Sequence, residues 1–311
     1  MSTLSTVRNY AELMRVANVF TAVSNVWMGM ILSTGHLPGW TAVGVTATSV
    51  LLYLAGMVLN DLYDAELDTK ERPERPIPSG RIPISHVRIL GWGLLFAGVC
   101  AGWFVSRVTP TLAPGIISWW LAGLIVAYDI GLKRSTLGPA IMGGCRFMNV
   151  LLGLSVGAEQ LQWGFLPADQ LILPAIGMGI YIWGVSWFAR SEATESNRKL
   201  LAMSAVGATL GIVFIAAMPF VQEAAASQLR LHPWGWVALW VLVAGTVLRR
   251  MVVAILQPWP KHVQRAVGYA ILSVIVIDAA VCLGYAQPYW SLAVLALVAP
   301  AMLLSQLFKV T

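Results

Sequence analysis

Ten apolar stretches recur along the chain, at 13–33, 41–59, 86–106, 111–128, 138–157, 170–189, 199–220, 235–256, 264–285 and 289–307, parted by short polar connections. Most are near twenty residues, and a helix of that length matches roughly 30 Å of hydrocarbon. The pattern predicts an all-α fold: a polytopic transmembrane helical bundle of nine to ten spans. The longest connections fall near 60–85 and 221–234, too short to hold a separate soluble domain. The first stretch carries Asn18, Ser24 and Asn25 and lacks a small-residue cleavage pattern, so it is expected to stay as a helix.

Charge placement orients the expected bundle. If the stretches alternate across a bilayer, one side receives Arg8, Arg15, Lys70, Arg72, Arg75, Arg81, Arg88, Lys133, Arg134, Arg190, Arg198, Lys199, Arg249, Arg250, Lys261, Arg265 and Lys309, and the other only Arg107 and Arg230. Basic residues are retained on the cytoplasmic side during insertion, so the amino terminus is expected to be cytoplasmic. The same bias accounts for the net charge of +6 without nucleic acid as a partner. Composition agrees: a chain 58% hydrophobic and 11% charged, with mean hydropathy +0.74, has too few charges to cover a water-soluble surface. Cys100, Cys145 and Cys282 lie inside apolar stretches at irregular spacing, which excludes a disulfide framework and offers no zinc pattern.

Against that background one segment stands apart. Six of the fourteen acidic residues fall between Asp61 and Glu74, directly after an apolar run. On a helix Asn60, Asp64 and Asp68 recur every four residues, with Asp61 three before Asp64, so their oxygens are expected to share a face. Like charges so close repel unless neutralised, and hard oxygen ligands suit Mg²⁺ completed by substrate phosphates. Arg72, Arg75 and Arg81 follow and offer cover for phosphate oxygens, with Pro73, Pro76 and Pro78 stiffening the segment. The alternative is a solvated loop whose arginines only anchor the chain at the membrane surface.

The segment resembles the first motif of the UbiA superfamily of intramembrane prenyltransferases, Asn-Asp-x-x-Asp-x-x-x-Asp, matched by Asn60, Asp61, Asp64 and Asp68. The family's Arg-Pro-(Ile/Leu)-Pro-Ser-Gly-(Arg/Lys) stretch is matched by Arg75 to Arg81. The resemblance continues through Arg15, Asn18, Tyr128, Lys133, Arg134, Gly144, Arg146 and Gly153, covering most of residues 10–200. It implies one domain over 1–311 enclosing a central lipid-accessible cavity, capped on the cytoplasmic side by two acidic loops. It also implies Mg²⁺ as cofactor, a prenyl diphosphate donor, a hydrophobic acceptor that is aromatic or lipid, and transfer through diphosphate ionisation and carbocation capture. By this resemblance the metal ligands are Asn60, Asp61, Asp64, Asp68, Glu192 and Glu195, and the catalytic residues Asp64, Asp68, Lys133 and Arg190. Substrate is bound by Arg15, Asn18, Arg72, Arg75, Tyr128 and Arg146. The location implied is a bacterial inner membrane with cytoplasmic active-site loops.

The second acidic loop departs from the family pattern. Arg190 matches, but Ser191 stands where an Asp is usual and Glu195 replaces the later Asp. The divergence resembles UbiA-like members of bacterial ebo-type gene clusters. It keeps open a degenerate member that binds or carries prenyl lipid without transfer. A secondary transporter is a weaker rival, because its ionisable groups belong at mid-membrane and not at one face.

Ionisable residues inside apolar stretches point to function by default. Arg146, with Asn149 three residues on, is expected either to orient substrate or to form an ion pair, with Asp278 as a partner. Asp129 is expected to pair with Lys133 at four-residue spacing. Trp119, Trp120, Trp163, Trp234, Trp236 and Trp259 are expected in interfacial belts, and Tyr53, Tyr181 and Trp187 in the pocket wall.

Overall fold

The computed structural model describes residues 3–157, 172–190, 197–221 and 223–307, and among these there is no strand. Fifteen helices follow in order: α1 Thr3–Leu13, α2 Val19–Thr34, α3 Gly39–Tyr63, α4 Ala65–Glu71, α5 Ile84–Val108, α6 Ala113–Ile130, α7 Gly138–Leu154, α8 Ile172–Ala189, α9 Arg198–Ala216, α10 Met218–Val221, α11 Glu223–Gln228, α12 Pro233–Leu256, α13 Pro260–Tyr285, α14 Pro288–Leu295 and α15 Val298–Leu307. Proline opens or nearly opens α6, α7, α12, α13 and α14, where its fixed φ suits the first turn and its missing N–H leaves no orphan. Gly35, at φ 78°, ends α2 by donating its N–H to Ile31 O.

Among the described residues nine segments are long and apolar enough to cross a membrane, with α14 and α15 counted together as the ninth. This is an integral membrane protein. Trp40, Phe96, Met203 and Val241 point outward, as a lipid-facing surface requires. The expected span at 138–157, α7, is not among the nine: it has only 17 residues and carries Arg146. It nevertheless runs beside α2 in parallel, with Arg146 against Thr21, Asn149 against Ala22 and Gly153 against Val26. It therefore lies at the same depth.

Two expected spans are broken. The first does not run from residue 13: α1 stops at Leu13, Arg15 adopts φ 45° and ψ 49°, and a 3-10 turn over Val16–Asn18 leads into α2. The last is interrupted at Ala296 and Leu297. Pro300 explains this, since its ring clashes with the carbonyl four residues earlier and it has no N–H to donate.

Two cores meet at the centre. One joins α3, α5 and α6 through Leu52, Leu59, Leu95, Val99 and Leu121; the larger joins α2, α7, α8, α9, α12 and α13. Trp236 belongs to this larger core and not to a belt. It is fully buried, stacks edge-on to Trp240 and Tyr285, and donates its indole N–H to Ala216 O. Trp119, Trp120, Trp234 and Trp259 are exposed as expected, and Trp163 lies outside the described residues.

Candidate functional site

Where the two cores meet, residues of α2, α3, α6, α7, α8 and α13 enclose a cavity of about 380 Å³. Its wall is mostly aliphatic, including Leu52, Leu121, Ile125, Ile182, Val185, Val267 and Ile271. Polar groups enter as Arg15, Asn18, Ser49, Tyr53, Asn60, Tyr128, Asp129, Arg146, Asn149 and Ser186. Of the aromatics expected in the wall only Tyr53 is there. Tyr181 is fully buried behind it, its hydroxyl donating to Ala270 O at 2.8 Å, and Trp187 stacks under Arg190.

The aspartate segment sits at one mouth of this cavity. α3 ends at Tyr63 and α4 begins at Ala65, with Asp64 at the junction, yet i→i−4 bonding continues through Asp64 N to Asn60 O and Asp68 N to Asp64 O. The helical phase is therefore nearly kept, but the expected face splits in two. Asp61 and Asp68, two turns apart, converge on Arg75, whose Nη1 lies 3.4 Å from Asp61 Oδ1 and 2.7 Å from Asp68 Oδ2. Asp64 turns aside to Lys133 Nζ at 2.8 Å and Arg134 Nη2 at 3.5 Å. Asn60 donates to Asp129 Oδ1 at 3.2 Å.

Arg15 completes the cluster. Its left-handed backbone, unusual for a residue with a Cβ, breaks the path of α1 and brings Nη2 to 2.9 Å from Asp61 Oδ1. Burial opposes the charge on Arg75, but Asp61 and Asp68 outweigh it and hold its pKa above the ordinary arginine value. Arg81 stands back from the cavity. It makes a forked pair with Glu12 at 2.9 and 3.0 Å, and those hydrogen bonds raise its pKa.

Other expected contacts differ. Asp129 does not pair with Lys133, because α6 ends at Ile130 and the basic side chain reaches Asp64 from a 3-10 turn. Arg190 does not line the cavity: it donates to the carbonyls of Lys133 and Ser135 and stacks on Trp187, bracing the loop that carries Lys133. Arg72 follows α4 and has no ion pair among the described residues. Glu192 and Glu195 lie outside the described residues.

Deeper in the cavity a polar network joins four helices, and in it the expected pairing of Arg146 with Asp278 is indirect, running through Asn25. Arg146 donates to Asn25 Oδ1 at 3.2 Å and Thr21 Oγ1 at 2.8 Å, Asn149 accepts from Ser49 Oγ at 2.7 Å, and Asp278 receives Ser24 and Asn25. Ser24 and Asn25, polar in an otherwise apolar span, were the signal for it.

Among the described residues no three His, Cys, Asp or Glu side chains group closely enough to cage a metal ion. The donor chemistry still fits magnesium, which is ordinarily held by one or two carboxylates and finished by phosphate and water.

A model of the UbiA prenyltransferase family matches residues 22–272. The digeranylgeranylglyceryl phosphate synthase of Sulfurisphaera tokodaii is 33% identical over 98 residues, 30% of this chain and 34% of that protein. The protoheme IX farnesyltransferase of Rhizobium leguminosarum is 30% identical over 144 residues, 45% and 44% respectively. The chain thus spans about a third to a half of the length of these relatives. A solved digeranylgeranylglyceryl phosphate synthase superposes with a TM-score of 0.65 at 19% identity, covering 90% of this chain and 98% of that one. A UbiA homologue from Archaeoglobus fulgidus, solved with GPP and Mg²⁺, superposes with a TM-score of 0.56 at 10% identity, covering 86% and 99%. At these identities the likeness establishes the fold.

Proposed function

Because the chain belongs to the UbiA prenyltransferase family, we propose that it transfers a prenyl group from a prenyl diphosphate to a hydrophobic acceptor inside the membrane, as one domain over 1–311. The observation that carries this reading is the gathering of Asp61, Asp64 and Asp68 with Arg15, Arg75 and Lys133 at the mouth of an aliphatic cavity. Arg15, Arg75 and Lys133 turn from the carboxylates to the diphosphate oxygens when a donor enters. Asp61, Asp64 and Asp68, thereby freed, would hold Mg²⁺, with Asn60, Glu192 and Glu195 as further ligands. When bound, the metal stabilises negative charge on the leaving diphosphate.

The bond between the allylic carbon and oxygen breaks, and diphosphate leaves with the electron pair. The acceptor supplies a new pair to that carbon and releases a proton. The aliphatic wall holds the isoprenoid tail and excludes water from the cation, while Tyr53 and Tyr128 offer π faces to it. Asn18 lines the same mouth. The basic loops support a cytoplasmic mouth. A second reading, a prenyl-lipid binder without transfer, is favoured by one feature: each carboxylate already has a basic partner.

The test is diphosphate release from geranyl diphosphate by the purified protein, with and without Mg²⁺. Release that needs magnesium, and falls by roughly a hundredfold in Asp64→Ala or Asp68→Ala, is expected. Binding of the donor with no release in any condition establishes the binder instead.

A further inference from the structure

Arg81 belongs to the basic stretch after α4, yet among the described residues its only ion pair is with Glu12. Its guanidinium has five N–H groups, and every one is taken. Nε donates to Ser79 Oγ at 3.0 Å, Nη1 to Asn9 Oδ1 at 3.0 Å and Glu12 Oε2 at 2.9 Å, and Nη2 to Glu12 Oε1 at 3.0 Å and the Glu74 carbonyl at 2.6 Å. No donor is left for a phosphate oxygen, so the cover that its spacing suggested is not what this residue supplies.

Its partners lie on two segments, and each segment carries one of the arginines that meet at Asp61. On α1 the partners are Asn9 and Glu12. Glu12 O also accepts the backbone N–H of Arg15 at 3.1 Å, and Arg15 Nη2 lies 2.9 Å from Asp61 Oδ1. On the loop the partner is Ser79, which accepts from Arg81 and passes its own hydroxyl proton to the Arg75 carbonyl at 2.6 Å. Arg75 Nη1 lies 3.4 Å from the same Asp61 oxygen. Arg81 is therefore joined to Arg15 through Glu12 and to Arg75 through Ser79, with Gly80, at φ 72°, supplying the left-handed turn between Ser79 and Arg81.

The other anchor of α1 is apolar. Leu13 is fully buried with Val58, Ile82 and Val87, which keeps the helix seated without Arg81. Such burial is non-directional and does not aim the turn at Arg15. Conversely, the Arg81 and Glu12 side chains are 29% and 31% exposed, where an ion pair adds little to stability. The bonds of Arg81 fix direction more than they fix the fold.

We propose that Arg81 is the positioning residue of the aspartate mouth: it touches no substrate, and it ties α1 to the loop so that Arg15 and Arg75 both point at Asp61. From those fixed backbones the two side chains swing between the carboxylate and an incoming diphosphate. That last step rests on the prenyl-transfer reading; the aiming of Arg15 and Arg75 does not.

The test compares Arg81→Gln with Glu12→Gln in the purified full-length protein. The two changes shift net charge in opposite senses, so a response common to both is not a charge effect. With Arg15 and Arg75 no longer aimed at Asp61, added Mg²⁺ is expected to raise the thermal midpoint of both variants more than that of wild type. A merely structural tie would lower the midpoint and leave the magnesium response as in wild type. Retention of geranyl diphosphate is expected to weaken by roughly tenfold in both. Should either variant fail to fold, Ser79→Ala, which cuts the link to Arg75 without altering charge, carries the same two expectations. A magnesium response equal to that of wild type, or opposite responses in the two variants as charge alone dictates, overturns the proposal. If wild type retains no geranyl diphosphate, the prenyl-transfer reading falls, and the magnesium response alone decides the role of Arg81.

Discussion

Arg75 holds together two carboxylates that would otherwise repel each other, so the aspartate mouth is charge-matched before any ligand arrives. Charge-assisted hydrogen bonds of this kind contribute about 1.5–3 kcal/mol. Arg75→Gln should lower stability by about that amount in thermal unfolding, and added Mg²⁺ should recover more stability in the variant than in wild type, where Arg75 already serves Asp61 and Asp68. Equal magnesium responses would contradict the idea that the arginine and the metal share these oxygens. The motif itself could be recognised from residue types and spacing. Its partners could not: helical spacing pairs Asp129 with Lys133, but the helix ends between them at Ile130, and Lys133 goes to Asp64 instead. Arg15 illustrates the same limit, since only its left-handed backbone turns it toward Asp61.

For whole helices, hydrophobic run length indicated where spans lie but not how closely they approach. At Gly153 an added Cβ would run into Val26 O, and at Gly29 it would come to 2.7 Å from Val150 O. α2 and α7 thus touch backbone to backbone, which is what allows short side chains such as Thr21 and Asn25 to reach Arg146. Gly153→Ala should force the two helices apart, at about 1–3 kcal/mol by the usual penalty for overpacking. Lower thermal stability is the expected readout; an unchanged value would refute the close approach. The breaks at Arg15 and at Ala296–Leu297 escaped the hydropathy pattern, because averaging over a span hides a single turn. Pro300 was visible in the sequence, but its effect depends on which residues precede it in a helix.

Over the molecule as a whole, the basic loops predict that the segment after α4 and the turn before α6 face opposite sides of the membrane. With Cys100, Cys145 and Cys282 replaced, Glu74→Cys should react with an impermeant maleimide only from the cytoplasmic side and Leu112→Cys only from the other. Both positions are exposed. Labelling of both from one side would reverse the topology. Membrane residence, the approximate positions of the spans, the aspartate motif and the family resemblance were all legible in the sequence alone, because run length, charge asymmetry and carboxylate crowding are properties of neighbouring residues. Which charges meet was decided only by the tertiary structure. Arg15 finds Asp61 across 46 positions, Arg146 finds Asn25 across 121, and Ser24 finds Asp278 across 254. Such pairings depend on how each helix is rotated about its axis and on which backbones can touch, and a buried charge takes whatever counter-charge or amide that packing brings within reach.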